Sequence, residues 1–245
     1  ASRIAELLLG FISDTNGVVL DAALESVATL VCIASEEVRQ SLPDLCLAVF
    51  ECLTDYREAT RTLSSEALAA IGDMYTPGHL LPALLRSLHL AATAKTKTGV
   101  LEFALYVLCG RGGGSEEVLH APASVSEDLE SWIDMTVELA CDVDAPLAKA
   151  AGSNLAAIHS HVDGAVVPRR LLAASEYKRV RFMDAVERRV PKLADIIRPF
   201  LERPPSPPTK PATPDASASG MDADEEYEDQ NVASLNRSYE SMRID

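Results

Sequence analysis

The sequence predicts an all-α solenoid of about four helix pairs plus a terminal helix over residues 1–203, followed by a disordered tail over 204–245. Three observations predict it. The first is a repeat of about forty residues, in which an apolar stretch ends at a polar turn and a second apolar helix follows. The turns read Ser13-Asp14-Thr15-Asn16, Thr54-Asp55-Tyr56-Arg57, Thr93-Ala94-Lys95-Thr96 and Cys141-Asp142-Val143-Asp144. Asp14 to Asp55 is 41 positions, Asp55 to Lys95 is 40, and Lys95 to Asp142 is 47, the last step holding the insertion Gly110-Arg111-Gly112-Gly113-Gly114. One such pair cannot bury its apolar face alone, so neighbouring copies must stack. The second observation is composition. The chain is 47% apolar but only 5% aromatic, and Leu and Ala dominate, which suits helix packing better than a β core. The third is the abrupt change after Arg203. The proline run from Pro204 to Pro211 and the acidic stretch Asp222 to Asp229 cannot bury enough apolar area to offset the entropy of ordering.

The elements follow in order. The first pair is expected over Ser2 to Ser13 and Val18 to Ile33. Ser35, followed by Glu36 and Glu37, reads as an N-cap with acids in the first turn. The helix after it carries Leu42, Leu45, Cys46, Val49, Phe50 and Leu53 at helical spacing. Its partner is expected from Ala59 to Met74, with Leu63, Ala67, Leu68 and Ile71 on the apolar face. Thr76-Pro77 opens the third pair with Pro at the first helical position, and Leu80, Leu81, Leu84, Leu85 and Leu88 follow. The partner runs from Thr98 to Leu108, where the Gly-rich insertion stops it. Ser126-Glu127-Asp128 opens the fourth pair, whose first helix carries Leu129, Trp132, Ile133, Met135 and Leu139, with Trp132 read as core. Its partner runs from Pro146 to about His161. Val166 to Leu172 is a short connection or a partial helix, and Glu176 to Glu202 a basic helical stretch interrupted by Pro191 and Pro199.

The net charge of −15 is unevenly spread: residues 1–166 carry −14, residues 167–203 carry +5, and residues 204–245 carry −6. An acidic body repels phosphate backbones, which argues against a nucleic-acid partner. The apolar runs fall short of the ~18 uncharged residues that a membrane span needs, and no signal peptide is expected. The chain opens inside a helical pattern, Ser2-Arg3-Ile4-Ala5-Glu6-Leu7-Leu8, as a piece of a longer protein would. Cys32, Cys46, Cys52, Cys109 and Cys141 form no C-x-x-C pair and sit mostly among Leu, Val and Ala, so buried reduced thiols of a cytosolic or nuclear protein are expected.

No catalytic constellation is legible. His159 and His161 lie two apart and so point to different helix faces, which keeps them, with Asp163, from converging on a metal. Gly112-Gly113-Gly114-Ser115 lacks the Gly-Lys-Ser/Thr of a phosphate loop. No nucleophile elbow and no Cys–His pairing occurs. The expectation is a protein that is not an enzyme and needs no cofactor or metal.

The repeat resembles HEAT. Leu42-Pro43 and Leu81-Pro82 sit 39 apart in equivalent first helices, and Asp55 and Arg61 lie six apart across the turn, similar to the HEAT pairing of a turn Asp with an Arg in the second helix. A narrower resemblance, to the TOG-type HEAT arrays of the CLASP microtubule-associated proteins, rests on two stretches. One runs from Lys95 to Leu105, KTKTGVLEFAL, and the other from Leu171 to Met183, LLAASEYKRVRFM, where a small loop meets a Lys-led basic helix. The resemblance implies a protein-binding module of the cytoplasmic microtubule or spindle cytoskeleton. Its partner would be tubulin or a microtubule- or kinetochore-associated protein, met through the intra-repeat turns; no membrane is implied. The candidate contacts are Asn16, Tyr56, Arg57, Lys95 and Lys97 on the turns and Lys178, Arg179 and Arg181 on the terminal helix. The first turn lacks the aromatic of tubulin-binding TOG domains and the fourth is acidic, which favours a protein partner over tubulin itself. The basic run from Arg169 to Lys192 has two readings, a solvated face that neutralises the acidic repeats beside it or a dock for an acidic partner segment. The alternative function is a HEAT scaffold of another system, such as a karyopherin-type transport receptor or a phosphatase scaffold.

Overall fold

The computed structural model describes residues 2–109, 127–161 and 164–202. The Gly-rich insertion, Ser126, Asp163 and the 204–245 tail lie outside the described residues. The described chain is helical throughout: α1 (Ser2–Ile12), α2 (Gly17–Ile33), the short α3 (Ser35–Val38), a 3-10 turn (Arg39–Ser41), α4 (Leu42–Cys52), α5 (Glu58–Met74), α6 (Pro77–Leu90) and α7 (Ala94–Cys109). After the insertion come α8 (Glu127–Ala140), α9 (Ala145–His161), α10 (Val166–Ala173), α11 (Glu176–Arg189) and α12 (Pro191–Glu202).

Two layers build the array. The first helices of the pairs stack in the order α1, α4, α6, α8, and α11 adds to α8. The second helices form the other layer, with α2 packed along α5, α7 along α9, and α12 against α9 and α10. Between them lies one continuous core, in which Leu24, Leu45, Phe50, Ile71, Leu80, Leu101, Trp132, Leu147 and Phe182 are fully buried. Leu63 and Leu81 are only half-buried, so the apolar stripe of these helices is narrower than their leucine content suggests. Leu84 of α6 is 3% exposed, in the seam between α6 and its neighbours. Leu84→Ala is expected to cost about 2–5 kcal/mol in chemical denaturation, the transfer energy of the lost atoms plus the cavity they leave.

Several boundaries differ from expectation for local reasons. Ser35 does not cap: it is already the first residue of α3, and Ala34 precedes it without a side-chain cap. Pro43 has no N–H to reach the carbonyl four residues back, which belongs to Arg39, and the chain tightens into the 3-10 turn there. The equivalent Pro82 lies inside an unbroken α6. The second helix of the third pair starts at Ala94 rather than Thr98, because the Thr93 hydroxyl accepts the Thr96 N–H at 3.0 Å. At the C-terminus, Pro191 opens a new helix at its first position, so the basic stretch is a further pair, α11 and α12, turning at Val190. Pro199 sits in the last turn of α12 and ends nothing. Tight packing at this corner needs Gly152 of α9, where a Cβ would lie 2.6 Å from Val190 Cγ2.

The cysteines divide. Cys46 and Cys52 are buried, and burial pushes their thiols up to about 12 and about 11. Cys141 is half-buried, and Cys32 is exposed on the outer side of α2, contrary to the expectation of a uniformly buried set. Among the described residues no helix is long and apolar enough to cross a membrane.

Candidate functional site

The intra-repeat turns share one edge because the second helices pack in pairs, α2 along α5 and α7 along α9, and start in near register. Thr60, the third residue of α5, donates from its hydroxyl to the Asp21 carboxylate, near the start of α2, at 2.6 Å. Asn154 of α9 donates from its buried Nδ2 to the Leu101 carbonyl of α7 at 2.8 Å, again at similar depth along both helices. The first two turns touch directly. A Cβ on Gly17 would lie 1.5 Å from Arg57 Nη1, so any larger residue there would push that guanidinium aside. The third turn is linked to the second through Gly99, whose missing Cβ faces Leu53 at 3.0 Å.

The candidate turn residues differ in how free they are. Asn16 is the N-cap of α2; its Oδ1 accepts the Val18 N–H at 3.0 Å, and its own N–H donates to Asp14 at 2.7 Å. Tyr56 is 88% exposed at the tip of the second turn, with the Arg57 guanidinium 5.6 Å from its ring centre. Arg57 makes a forked pair with Asp55, Nε to Oδ1 at 3.1 Å and Nη2 to Oδ2 at 3.4 Å, and its backbone N–H donates to the same carboxylate at 2.8 Å. These bonds from Arg57 hold the Asp55 carboxyl below the usual carboxylate range. Arg57 therefore brings little net charge to the edge.

The expected Asp55–Arg61 pairing is not made. Arg61 instead donates from Nη1 to the carbonyls of Asp55 and Tyr56, at 2.8 and 2.9 Å, and ties its own turn. Arg57 is the residue that reaches the neighbouring repeat. Arg57 takes the Asp55 pairing that the spacing suggested for Arg61, because it can reach Asp55 without crossing a helical turn.

Lys95 is exposed and Lys97 half-buried, both in the first turn of α7 rather than in a loop. Neither has a carboxylate within ion-pair distance among the described residues. In the fourth turn Asp144 caps α9, accepting the Leu147 N–H at 2.9 Å, and Val143 is 95% exposed.

The basic C-terminal residues are largely committed to their neighbours. Lys178 pairs with Glu138 of α8 at 3.0 Å, and Arg170 forks onto Glu130 and Asp134 of the same helix. Arg179 donates to the Leu172 carbonyl at 3.2 Å and Arg181 to the Cys141 carbonyl at 3.3 Å. Charge neutralisation of the acidic fourth repeat thus accounts for Lys178 and Arg170, but not for Arg179 or Arg181.

His159 is half-buried, and its ring meets Phe200 of α12 edge-on, with centroids 6.2 Å apart. Among the described residues no group of three His, Cys, Asp or Glu side chains is placed to hold a metal ion. Gly17, Gly99 and Gly152 went unnoticed as packing positions. Gly17 and Gly99 lie near a turn and Gly152 in the middle of α9, and the side chain that each faces comes from a different repeat.

No family model matches the chain. CLIP-associated protein from Arabidopsis thaliana is 26% identical over 191 residues, covering 78% of this chain and 13% of that protein. The chain therefore spans only a small part of that relative's length. A chain solved to explain the structural basis of microtubule plus-end tracking by XMAP215, CLIP-170 and EB1 superposes with a TM-score of 0.55 at 15% identity, over 76% of this chain and 74% of that one. A designed armadillo repeat protein aligns at 17% identity over 83% of this chain and 93% of its own, with a TM-score of 0.33, too low to bear on the fold.

Stacked helix pairs in two layers with their turns along one edge define a HEAT-repeat solenoid of the TOG type. Within that class the chain is a CLASP-like TOG/HEAT domain, similar over most of its length to part of CLIP-associated protein.

Proposed function

We propose that this chain is a non-catalytic binding module of the microtubule cytoskeleton, docking a microtubule-associated protein, or tubulin, through its intra-repeat turns. The observation that carries the reading is the pair Lys95 and Lys97. Among the described residues they have no carboxylate partner, and they lie on an edge that also presents Tyr56 and Val143, 88% and 95% exposed. Unneutralised lysines beside exposed apolar groups suit a protein surface of opposite charge. The likeness to CLIP-associated protein supports the cytoskeletal assignment, and with it a cytoplasmic, microtubule or spindle location. The missing first-turn aromatic and the acidic fourth turn put a protein partner ahead of tubulin.

The test is a pull-down with the purified chain, scored for tubulin against other cytoskeletal proteins. Lys95→Glu with Lys97→Glu is expected to weaken capture about tenfold or more, while helicity by circular dichroism stays intact. Arg57→Glu is best left out, since it would remove the ion pair, place a second carboxylate beside Asp55 and confuse folding with binding. Capture that survives the double change rules out this edge as the site.

A further inference from the structure

A groove of about 350 Å³ lies between the fourth turn and α11, at the end of the turn edge, and Lys95 and Lys97 are not among its lining residues. Its lining includes Val143, Tyr177 and Val180, exposed by 95%, 74% and 56%, together with Arg181, Arg188 and Arg189. The three arginines differ from the other basic residues of this region. Arg170, Lys178 and Arg198 pair with carboxylates. Arg181 and Arg189 donate to the carbonyls of Cys141 and Ala140, both at 3.3 Å, and Arg188 to that of Asp184 at 2.8 Å; none has a carboxylate within ion-pair distance among the described residues. A backbone carbonyl orients a guanidinium but leaves its charge and most of its five donors unspent.

We propose that this groove binds an acidic peptide segment of a partner protein that also carries an aromatic or branched aliphatic side chain. The carboxylates engage the oriented guanidiniums, and the apolar side chain packs among Val143, Tyr177 and Val180. Isolated exposed apolar residues need no explanation, but three around one concavity beside three unpaired cations form a two-part recognition surface. A nucleic acid fits less well. Asp142 and Asp184 also line the groove, and a phosphate backbone brings charge at every step, whereas a peptide can set an uncharged residue opposite each aspartate.

The experiment is fluorescence anisotropy with the whole chain and a labelled peptide, Glu-Glu-Leu-Glu-Tyr-Glu-Leu-Glu. Binding is expected at low salt. It should weaken about tenfold in Arg181→Glu/Arg188→Glu and in Val143→Asp, and about tenfold when Ser replaces Leu and Tyr in the peptide. Val143 is almost wholly solvent-exposed, so its replacement keeps the test independent of folding. Lys95→Glu/Lys97→Glu should leave this binding unchanged, which separates it from the turn-edge reading. Absence of binding, unchanged affinity in Val143→Asp, equal affinity for the Ser peptide or for a single-stranded oligonucleotide, or loss of binding in the lysine variant would each overturn the proposal.

Discussion

Trp132→Ala should cost about 3–5 kcal/mol, among the largest single-residue losses expected in this chain. The side chain is fully buried in α8, where Ile133 and Thr136 are buried with it and α6, α9, α10 and α11 all pack. Truncation would open a large cavity where the fourth repeat meets the C-terminal helices. The indole Nε1 has no hydrogen-bond partner among the described residues. Trp132→Phe is therefore expected to cost much less, about 1–2 kcal/mol, because it removes an unsatisfied donor as well as some volume. Trp132 is the only tryptophan, so the comparison should be made by circular dichroism in urea. Equal losses in the two variants would show that the volume Phe retains fills none of the cavity, against this account.

Phe50→Ala is expected to cost a similar amount, about 3–5 kcal/mol. Phe50 of α4 is fully buried and meets Phe103 of α7 edge-on, with centroids 5.6 Å apart. Phe103 stacks in turn on Tyr106 at 6.2 Å, and both rings come down on Gly72 of α5, where a Cβ would stand 3.1 Å from Tyr106 and 3.2 Å from Phe103. This aromatic row joins the two layers where α5 and α7 pass each other. A double-mutant cycle between Phe50→Ala and Phe103→Ala should give a coupling of about 0.5–1.5 kcal/mol. Strict additivity would mean that the rings contribute only as separate apolar volumes.

The helix pairs were legible because the 3.6-residue period and the forty-residue spacing are local signals, carried by runs such as Leu42, Leu45, Cys46, Val49 and Phe50. Trp132 was readable as core for the same reason. The candidate site was legible only as a set of turns. That Lys95 and Lys97 stay unpaired while Arg57 is bound to Asp55 depends on which carboxylates come within reach. The pairing of Asp55 with Arg57 rather than Arg61 shows the limit: a six-residue spacing brings two side chains near each other but does not choose between a carboxylate and a backbone carbonyl as acceptor.

The sequence by itself determined the class of fold, the order of the helices and the acidic body with its basic C-terminal helices, since periodicity, turn chemistry and composition act over a few residues. The tertiary structure decided the rest: which basic residues are spent on Glu130, Asp134 and Glu138, why Gly17 lies against the Arg57 guanidinium, and how the fourth turn and α11 enclose a groove. Those outcomes depend on distances between residues some 40 positions apart, such as Lys178 and Glu138 or Arg181 and Cys141. Such distances are set by the rotation and stacking of whole repeats, which no local pattern encodes.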